Sequence, residues 1–165
     1  MFENFYPKNY FRSFYSIDFR KFYKKGFNAL IIDLDNTLVI HGSDVLPEKV
    51  TDKLKTLRKI GFKICIFSNR DCSEGLKHMV KGINFIYNAR KPKSACFYKA
   101  LSLMKAKKEK TLVIGDQILT DILGANRIGL ENVLVEPVGK YEPFKIKIKR
   151  ILEVPFRRVR KKKFD

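Results

Sequence analysis

Short apolar runs alternate with amphipathic stretches along most of the chain. Five apolar runs have the length of buried strands, and each is followed by polar residues. The five runs are Ala29–Ile32, Phe62–Phe67, Asn84–Tyr87, Thr111–Ile114 and Asn132–Val135. Between them apolar residues recur at helical spacing, so the pattern predicts strands and helices in alternation.

Turn and capping residues mark the predicted helices. They run from Pro47 to Gly61, from Ser73 to Lys81 and from Ser94 to about Ala106, with Ser94 as an N-cap. A strand–helix alternation of this kind predicts an α/β fold, a three-layer, doubly wound parallel sheet covered on both faces. Right-handed crossovers then bring the carboxyl ends of all the strands to one edge.

The first 27 residues hold 11 of the 21 aromatic residues. Six of them recur near helical spacing and predict an aromatic, basic N-terminal helix: Phe11, Phe14, Tyr15, Phe19, Phe22 and Tyr23. Two interpretations remain open at this stage. The helix docks on a membrane or a partner, or its aromatic rings pack on the core of the domain itself.

The last 26 residues are strongly basic. Lys140–Asp165 holds 11 Lys and Arg residues against 3 acids, and Lys145–Lys149 alternates like an exposed strand. A basic C-terminal extension of this kind favours an anionic membrane surface, although a solvated tail has the same composition. We therefore predict three parts: residues 1–27, a core of residues 28–139, and a tail of residues 140–165.

Composition bounds the class of protein. A chain of 165 residues with 45% hydrophobic residues is expected to fold as one globular domain.

No apolar run approaches the roughly 18 residues of a membrane span, and charged residues interrupt the N-terminus where a signal peptide would be apolar. We expect a cytoplasmic protein, peripheral on the inner face of the membrane if its ends bind lipid. Three cysteines without zinc spacing predict reduced, mostly structural thiols.

The formal charge of +18 favours polyanionic partners. Nucleic acid, anionic lipid and phosphorylated substrates all fit a field of this sign. A lysine-rich solvated surface without a dedicated partner also has this charge, so charge alone does not choose among them.

Polar residues follow four of the predicted strands. They are Asp33, Asp35 and Thr37 after the first, Ser68 and Asn69 after the second, Lys91 after the third, and Asp116 and Asp121 after the fourth. Aspartates buried without partners would be costly, whereas open α/β sheets bind ligands at this edge. The sequence therefore predicts one reaction centre assembled from four strand ends.

This set resembles the motifs of haloacid dehalogenase (HAD) phosphatases. The matching segments read D-L-D-N-T-L, S-N, K-P and G-D-Q-x-x-T-D, and they span Asn28 to Val135. The aromatic N-terminus and the wording of the first and last motifs are similar to the YqeG branch of subclass IIIA. That branch is related to phosphatidylglycerophosphate phosphatases.

The resemblance implies Mg²⁺ and a phosphorylated aspartate. Asp33 would be the nucleophile and a metal ligand, with Asp116 as a second carboxylate ligand. Asp35 would supply a backbone carbonyl to the metal and act as general acid and base. Asp121 would ligate the metal directly, or it would orient the metal ligands without touching the metal. Alternatively, Asp121 is simply an N-cap or first-turn aspartate of a helix.

The other matched positions would bind the phosphoryl group. Ser68 and the backbone around Asn69 would donate hydrogen bonds, and Lys91 would supply a fixed positive charge. Lys93 is the rival lysine, but Lys91 precedes the proline of the motif. Thr37 would hold the loop or orient Asp35.

Motif spacing bears on the substrate. Asp35 and Ser68 are 33 positions apart, and Ser68 and Lys91 are 23 apart, which leaves no room for a cap domain. By the resemblance, a capless site suits a bulky or lipid phosphate such as phosphatidylglycerophosphate. The alternatives are a soluble phosphatase of nucleotide, sugar or nucleic-acid phosphates and, from another class, a basic nucleic-acid-binding module on a HAD scaffold.

Overall fold

The computed structural model describes residues 2–139 and 143–164, which build a six-stranded parallel sheet with helices on both faces. The strands are β1 (Asn9–Phe11), β2 (Ala29–Asp33), β3 (Lys63–Phe67), β4 (Asn84–Ile86), β5 (Thr111–Gly115) and β6 (Glu131–Val135). Their order across the sheet is β1-β6-β5-β2-β3-β4, and all five neighbouring pairs are parallel. The predicted doubly wound α/β fold is confirmed.

The α-helices lie between the strands, except for the last, which follows β6. They are α1 (Phe19–Lys24), α2 (Glu48–Ile60), α3 (Glu74–Met79), α4 (Ser94–Met104), α5 (Leu123–Arg127) and α6 (Phe144–Phe164). Gly61 ends α2 at a φ of 114°, a left-handed conformation that suits glycine. Ser73 caps α3 by accepting a hydrogen bond from the Leu76 amide. The predicted cap at Ser94 is wrong, because Ser94 is the first residue of α4 and Lys93 precedes it without a side-chain cap.

Alternate residues of the central strands pack into two separate hydrophobic cores, one on each face of the sheet. Leu30 and Ile32 of β2 face the core that contains α1, α2 and α3. Ala29 and Ile31 face the opposite core, which contains α4 and α5. Because successive strand residues point to opposite faces, a continuous apolar run is what a strand buried on both sides requires.

The predicted long N-terminal helix is wrong, since only Phe19–Lys24 forms an α-helix. Residues 9–11 instead add a sixth strand, where Asn9 donates hydrogen bonds to Glu131 and to the Asn132 carbonyl. An open sheet edge offers unpaired backbone groups, and this pairing overrides the helical spacing of the aromatics. Phe14, Phe19 and Phe22 are buried, so the packing interpretation holds for these rings.

The predicted exposed strand at Lys145–Lys149 is also wrong, because these residues lie in the 21-residue helix α6. Alternation of lysine and isoleucine suits a strand only where a sheet edge can receive it. In α6 the buried Glu153 accepts a hydrogen bond from the Leu119 amide, which ties the helix to the segment after β5. Residues 140–142 and 165 of the predicted tail lie outside the described part of the chain.

The connections at the carboxyl edge are short. The chain between β2 and β3 contains one helix, α2, and the chain between β3 and β4 contains only α3. β2 occupies the centre of the sheet, and the chain passes from β4 across to β5 on its other side. The crevice between β2 and β5 is therefore the topological switch point, where sheets of this type bind ligands.

Candidate active site

Asp33 stands at the end of β2, buried beneath a tight loop. The loop turns at Asn36, whose φ of 61° is left-handed, a conformation that asparagine tolerates better than most residues. The Asn36 amide donates to the Val39 carbonyl at 2.7 Å. The next functional carboxylate, Asp35, is thereby held just beyond Asp33 at the mouth of the site.

Three buried carboxylates converge at this point. Asp33, Asp116 and Asp121 each offer an oxygen, and these oxygens lie within 4.8 Å of one another. Gly115 makes the approach of Asp121 possible, because a Cβ at this position would lie 2.3 Å from the Asp121 Cγ. The absence of a side chain at Gly115, next to Asp116, thus leaves room for a third acid in the site.

Lys91 lies between two of the acids. Its Nζ donates to Asp33 and, at 2.8 Å, to Asp121, and it lies 4.2 Å from the centre of the Phe67 ring. Asn69 fixes the backbone of Lys91 by accepting its amide hydrogen at 2.8 Å. The rival Lys93 is exposed, so the structure brings Lys91 and not Lys93 to the acids.

The mutual burial of these charges shifts their pKa values. Burial raises the pKa of Asp33 well above its usual value, although Lys91 opposes the shift. Burial likewise raises the pKa of Asp116 to about 6, against the effect of Arg150. Burial by itself lowers the pKa of Lys91, but Asp121 and Asp33 outweigh it and raise this pKa, so Lys91 stays charged. The site is therefore short of positive charge for its three acids.

Asp35 is held apart from the three acids. The Ser68 hydroxyl donates to its Oδ2 at 2.7 Å, and the Gly42 amide donates to its Oδ1 at 3.1 Å. His41 Nδ1 and an Arg70 nitrogen each lie 3.7 Å from the same Oδ1. Asp35 therefore has a polar, oriented carboxylate that faces the site without joining the acid cluster.

Thr37 contacts the acid cluster, whereas Ser68 contacts Asp35. Thr37 donates to Asp33 at 3.0 Å and lies 3.4 Å from an Asp116 oxygen, so it orients the acid cluster and does not orient Asp35. Ser68 donates to Asp35, the contact that Thr37 was expected to make. The structure thus assembles all the predicted site residues, while their chemical roles remain predictions.

Sequence reasoning missed the residues that helix α6 brings to Asp116. Arg150 donates to an Asp116 carboxylate oxygen and to the Asp116 carbonyl at 2.6 Å, and Arg157 donates to the same carbonyl at 2.5 Å. Glu153 lies between the two arginines and contacts both. The spacing R-x-x-E-x-x-x-R, which places all three side chains on one helix face, was the available signal.

His41 and Arg70 were also given no role from the sequence, yet both line the cavity. The cavity has a volume of about 190 Å³. Its walls are formed by Asp33, Asp35, His41, Asn69, Arg70, Lys91, Gln117, Thr120, Ile146 and Lys149. Arg70 also pairs with Asp44 and donates to the Ser43 carbonyl at 2.8 Å, which pins the loop after Asp35 over the site.

Two further sequence expectations concern the cysteines and the membrane. Cys65, Cys72 and Cys96 are all free thiols, as predicted, and burial raises the pKa of Cys65 to about 12. A thiol with so high a pKa is a poor nucleophile at neutral pH.

None of the described helices is long and apolar enough to cross a bilayer.

A parallel sheet with an aspartate cluster and a lysine at its switch point defines the class as a HAD-type phosphatase. Residues 88–150 match the family model described as HAD-hydrolase-like. The protein named "Probable phosphatase YqeG" of Bacillus subtilis (strain 168) is 36% identical over 155 residues, covering 90% of this chain and 87% of that protein. The chain therefore belongs to the HAD superfamily, in the family of YqeG, and is a phosphoric monoester hydrolase.

Other similarities are weaker. Phosphatidylglycerophosphate phosphatase 1, chloroplastic/mitochondrial, of Arabidopsis thaliana is 26% identical over 149 residues, which cover 84% of this chain and 43% of that protein. An uncharacterized protein from Listeria monocytogenes serotype 4b superposes with a TM-score of 0.55 at 21% identity, covering 70% of this chain and 85% of the other. An uncharacterized protein from Corynebacterium glutamicum ATCC 13032 Kitasato superposes with a TM-score of 0.54 at 20% identity. The match covers 77% of this chain and 93% of the other. These two structures support the fold alone.

Proposed function

We propose that the protein is a Mg²⁺-dependent phosphomonoesterase that works through an aspartyl-phosphate on Asp33. The observation that carries the proposal is the convergence of Asp33, Asp116 and Asp121 within 4.8 Å, with the Lys91 ammonium against two of them. So dense a set of buried acids is costly without further positive charge. It is the expected design of a site that receives a cation and a phosphate together.

The donor set fits Mg²⁺. Hard divalent cations take oxygen ligands, and three carboxylate oxygens at mutual contact distance can share one ion. Asp33, Asp116 and the Asp35 carbonyl would coordinate the Mg²⁺ ion. Asp121 would be a further ligand, or it would orient the ligands without touching the ion. When bound, the ion supplies positive charge that offsets the repulsion between the phosphate dianion and the acids.

The first chemical step belongs to Asp33 and Asp35. A carboxylate oxygen of Asp33 attacks phosphorus and forms a new P–O bond as the bond to the ester oxygen breaks. Asp35 gives its proton to the departing alkoxide. Lys91, which stays protonated, holds the nucleophile and the transferring oxygens in a field of fixed positive charge.

The second step returns the enzyme to its starting state. Asp35, now ionised, takes a proton from a water molecule as that water attacks the phosphorus of the aspartyl-phosphate. The bond to Asp33 breaks, and inorganic phosphate leaves. Ser68 and the Gly42 amide hold Asp35 in place for both proton transfers, and Asn69 positions Lys91. The backbone around Asn69 is also a proposed donor to the phosphoryl oxygens, and so is the Ser68 hydroxyl whenever its one hydrogen is not donated to Asp35.

We propose a bulky phosphate, and a lipid phosphate such as phosphatidylglycerophosphate first, as the substrate. Three observations support this choice: the likeness to the Arabidopsis enzyme of that name, the single-helix connections over the site, and the charge of +18, which favours an anionic membrane. On this proposal residues 28–139 form the catalytic core, and the enzyme works peripherally at the cytoplasmic face of the membrane. A soluble phosphatase of nucleotide, sugar or nucleic-acid phosphates remains the alternative.

Hydrolysis of p-nitrophenyl phosphate with and without Mg²⁺ tests the chemistry. We expect Mg²⁺-dependent turnover that Asp33→Asn abolishes, because an amide is not a nucleophile toward phosphorus. Asp52→Asn is the matched control, since Asp52 is an exposed acid on α2. Full activity in Asp33→Asn, or turnover that a chelator leaves unchanged, would refute the mechanism. Salt-sensitive RNA binding without turnover would favour the nucleic-acid-binding module instead.

Release of phosphate from phosphatidylglycerophosphate in vesicles tests the substrate. We expect turnover of the lipid to exceed that of nucleotide and sugar phosphates by at least about tenfold in kcat/KM, if the lipid is the preferred substrate. Equal or faster hydrolysis of a soluble phosphate would support the alternative.

A further inference from the structure

Helix α6 carries four large apolar residues on the face that points away from the protein. Phe144, Ile148, Ile151 and Leu152 lie at helical spacings of four, three and one, so they form one outer stripe. All four are exposed, Ile151 by 68% and Leu152 by 59%. A helix that packs on a soluble domain normally has the opposite arrangement, with its apolar stripe toward the core.

The inner face of α6 explains this inverted arrangement. Glu153 is fully buried and pairs with Arg150 and Arg157, which both donate to the Asp116 carbonyl. The ring of Phe156 stacks on Phe5 at 4.8 Å between centroids. Rotation of the helix to bury the outer stripe would separate both arginines from the Asp116 carbonyl and Glu153 from the Leu119 amide. The stripe is therefore held outward by the charged face.

The charge of the helix indicates what covers the stripe. Residues 143–164 contain ten Lys and Arg residues and a single acid, Glu153, which is already paired. A basic helix with exposed aliphatic side chains has the composition of one that lies in the interface of an anionic bilayer. None of the described helices meets the requirement for spanning a bilayer, so the helix would lie on the membrane.

We propose that α6 docks the enzyme on an anionic lipid surface through the outer stripe. The inference rests on the proposed function for its purpose, since it brings the site to a lipid phosphate. Ile146 and Lys149, on the inner side of the same helix, form part of the cavity wall beside Asp33 and Lys91. The stripe and this part of the cavity wall therefore belong to the same half of one helix, so a surface that contacts the stripe lies on the side of the protein where α6 borders the cavity.

Vesicle co-sedimentation of the full chain tests the docking. The vesicles contain phosphatidylcholine alone or an equimolar mixture with phosphatidylglycerol. The stripe variant is Ile151→Ser/Leu152→Ser, and the matched control is Tyr98→Ser/Leu103→Ser, which changes two exposed residues of α4. Neither variant changes the net charge. We expect the wild type and the control to bind the anionic vesicles equally, and the stripe variant to bind about 100-fold more weakly, about tenfold for each lost aliphatic side chain.

Each other outcome overturns the docking proposal. Equal binding by the stripe variant would show that charge alone holds the protein on the vesicle. Absence of binding by the wild type would reject the surface altogether. A wild-type dimer that the stripe variant converts to a monomer, without an effect on vesicle binding, would assign the stripe to a second copy of the chain.

Hydrolysis of p-nitrophenyl phosphate in the same preparations separates the docking from the chemistry. We expect the stripe variant to keep the wild-type rate on this soluble ester, since the side chains of Ile151 and Leu152 are exposed and neither lines the cavity. Turnover without docking would refute only the membrane surface. Docking without turnover by the wild type would refute only the proposed phosphatase mechanism.

Discussion

At the scale of single residues, the site separates two carboxylates of one loop into two environments. Asp33 is buried with Asp116 and Asp121, and its pKa is raised by burial. Asp35, two positions on, accepts hydrogen bonds from Ser68 and Gly42. On the proposed mechanism, these different surroundings suit the two carboxylates to different tasks, Asp33 as the nucleophile and Asp35 as an oriented proton carrier.

Asp35→Asn tests this division of tasks. We expect kcat/KM for an alkyl phosphate to fall by about 10²- to 10⁴-fold, because the leaving alkoxide loses its proton donor. The loss should be smaller for p-nitrophenyl phosphate, whose leaving group needs no proton. Steady-state kinetics on both esters measure it. An equal loss on both would contradict a general-acid role for Asp35.

The pKa of Asp116 makes the stability of the metal-free protein depend on pH. Its carboxyl ionises near 3.8 when unfolded and at about 6 when folded, so the folded state binds more protons between these values. Stability should therefore fall by about 3 kcal/mol as the pH rises through this window and stay level above it. Denaturant unfolding in chelator should show a larger decline in the wild type than in Asp116→Asn, in which the raised pKa of the buried Asp33 still acts. Parallel pH profiles for the two proteins would contradict it.

At the scale of the elements, α6 completes a site that the strand ends begin. Asp33 ends β2, Asp116 directly follows β5, and Asp121 lies in the π-helix Ile118–Ile122 that comes next. Behind Asp116, Arg150 from α6 holds one carboxylate oxygen, while the other lies 3.4 Å from Thr37. A hydrogen-bonded partner of this kind orients a ligating carboxylate and fixes which oxygen faces the metal.

Arg150→Gln should therefore weaken Mg²⁺ binding by about 10- to 100-fold. Isothermal titration of Mg²⁺ into the purified protein measures the affinity without reference to turnover. Lys147→Gln is the matched control, since it removes the same charge from an exposed position on the same helix. Equal affinities in the two variants would mean that Arg150 acts only through the overall charge.

At the scale of the whole molecule, the N-terminal segment is part of the folded core. β1 extends the sheet beyond β6, and the segment after it buries Phe14, Phe19 and Phe22 against α2 and the central strands. Phe14 contacts Phe19 edge-to-face at 5.3 Å between ring centroids. The predicted boundary at residue 27 stays a prediction about domains, but contacts of the core cross it.

Phe14→Ala should lower the free energy of unfolding by about 3–5 kcal/mol, the usual cost of removing a fully buried aromatic ring. Phe2→Ala is the control, because Phe2 is 65% exposed and should cost less than about 1 kcal/mol. Urea denaturation followed by circular dichroism provides both values. A small effect of Phe14→Ala would show that the N-terminal segment contributes little to the core.

The sequence by itself determined the parallel sheet and the positions of the acids. A strand formed by a continuous apolar run such as Ala29–Ile32 is apolar on both faces, so both faces of the sheet must be covered. Polar residues that directly follow such parallel strands then lie together at one edge of the sheet. The tertiary structure decided what local pattern leaves open: which of Lys91 and Lys93 enters the site, that Asn9–Phe11 is a strand, and that Arg150 reaches Asp116. These outcomes depend on contacts between residues far apart in the chain, about which spacing along the chain holds no information.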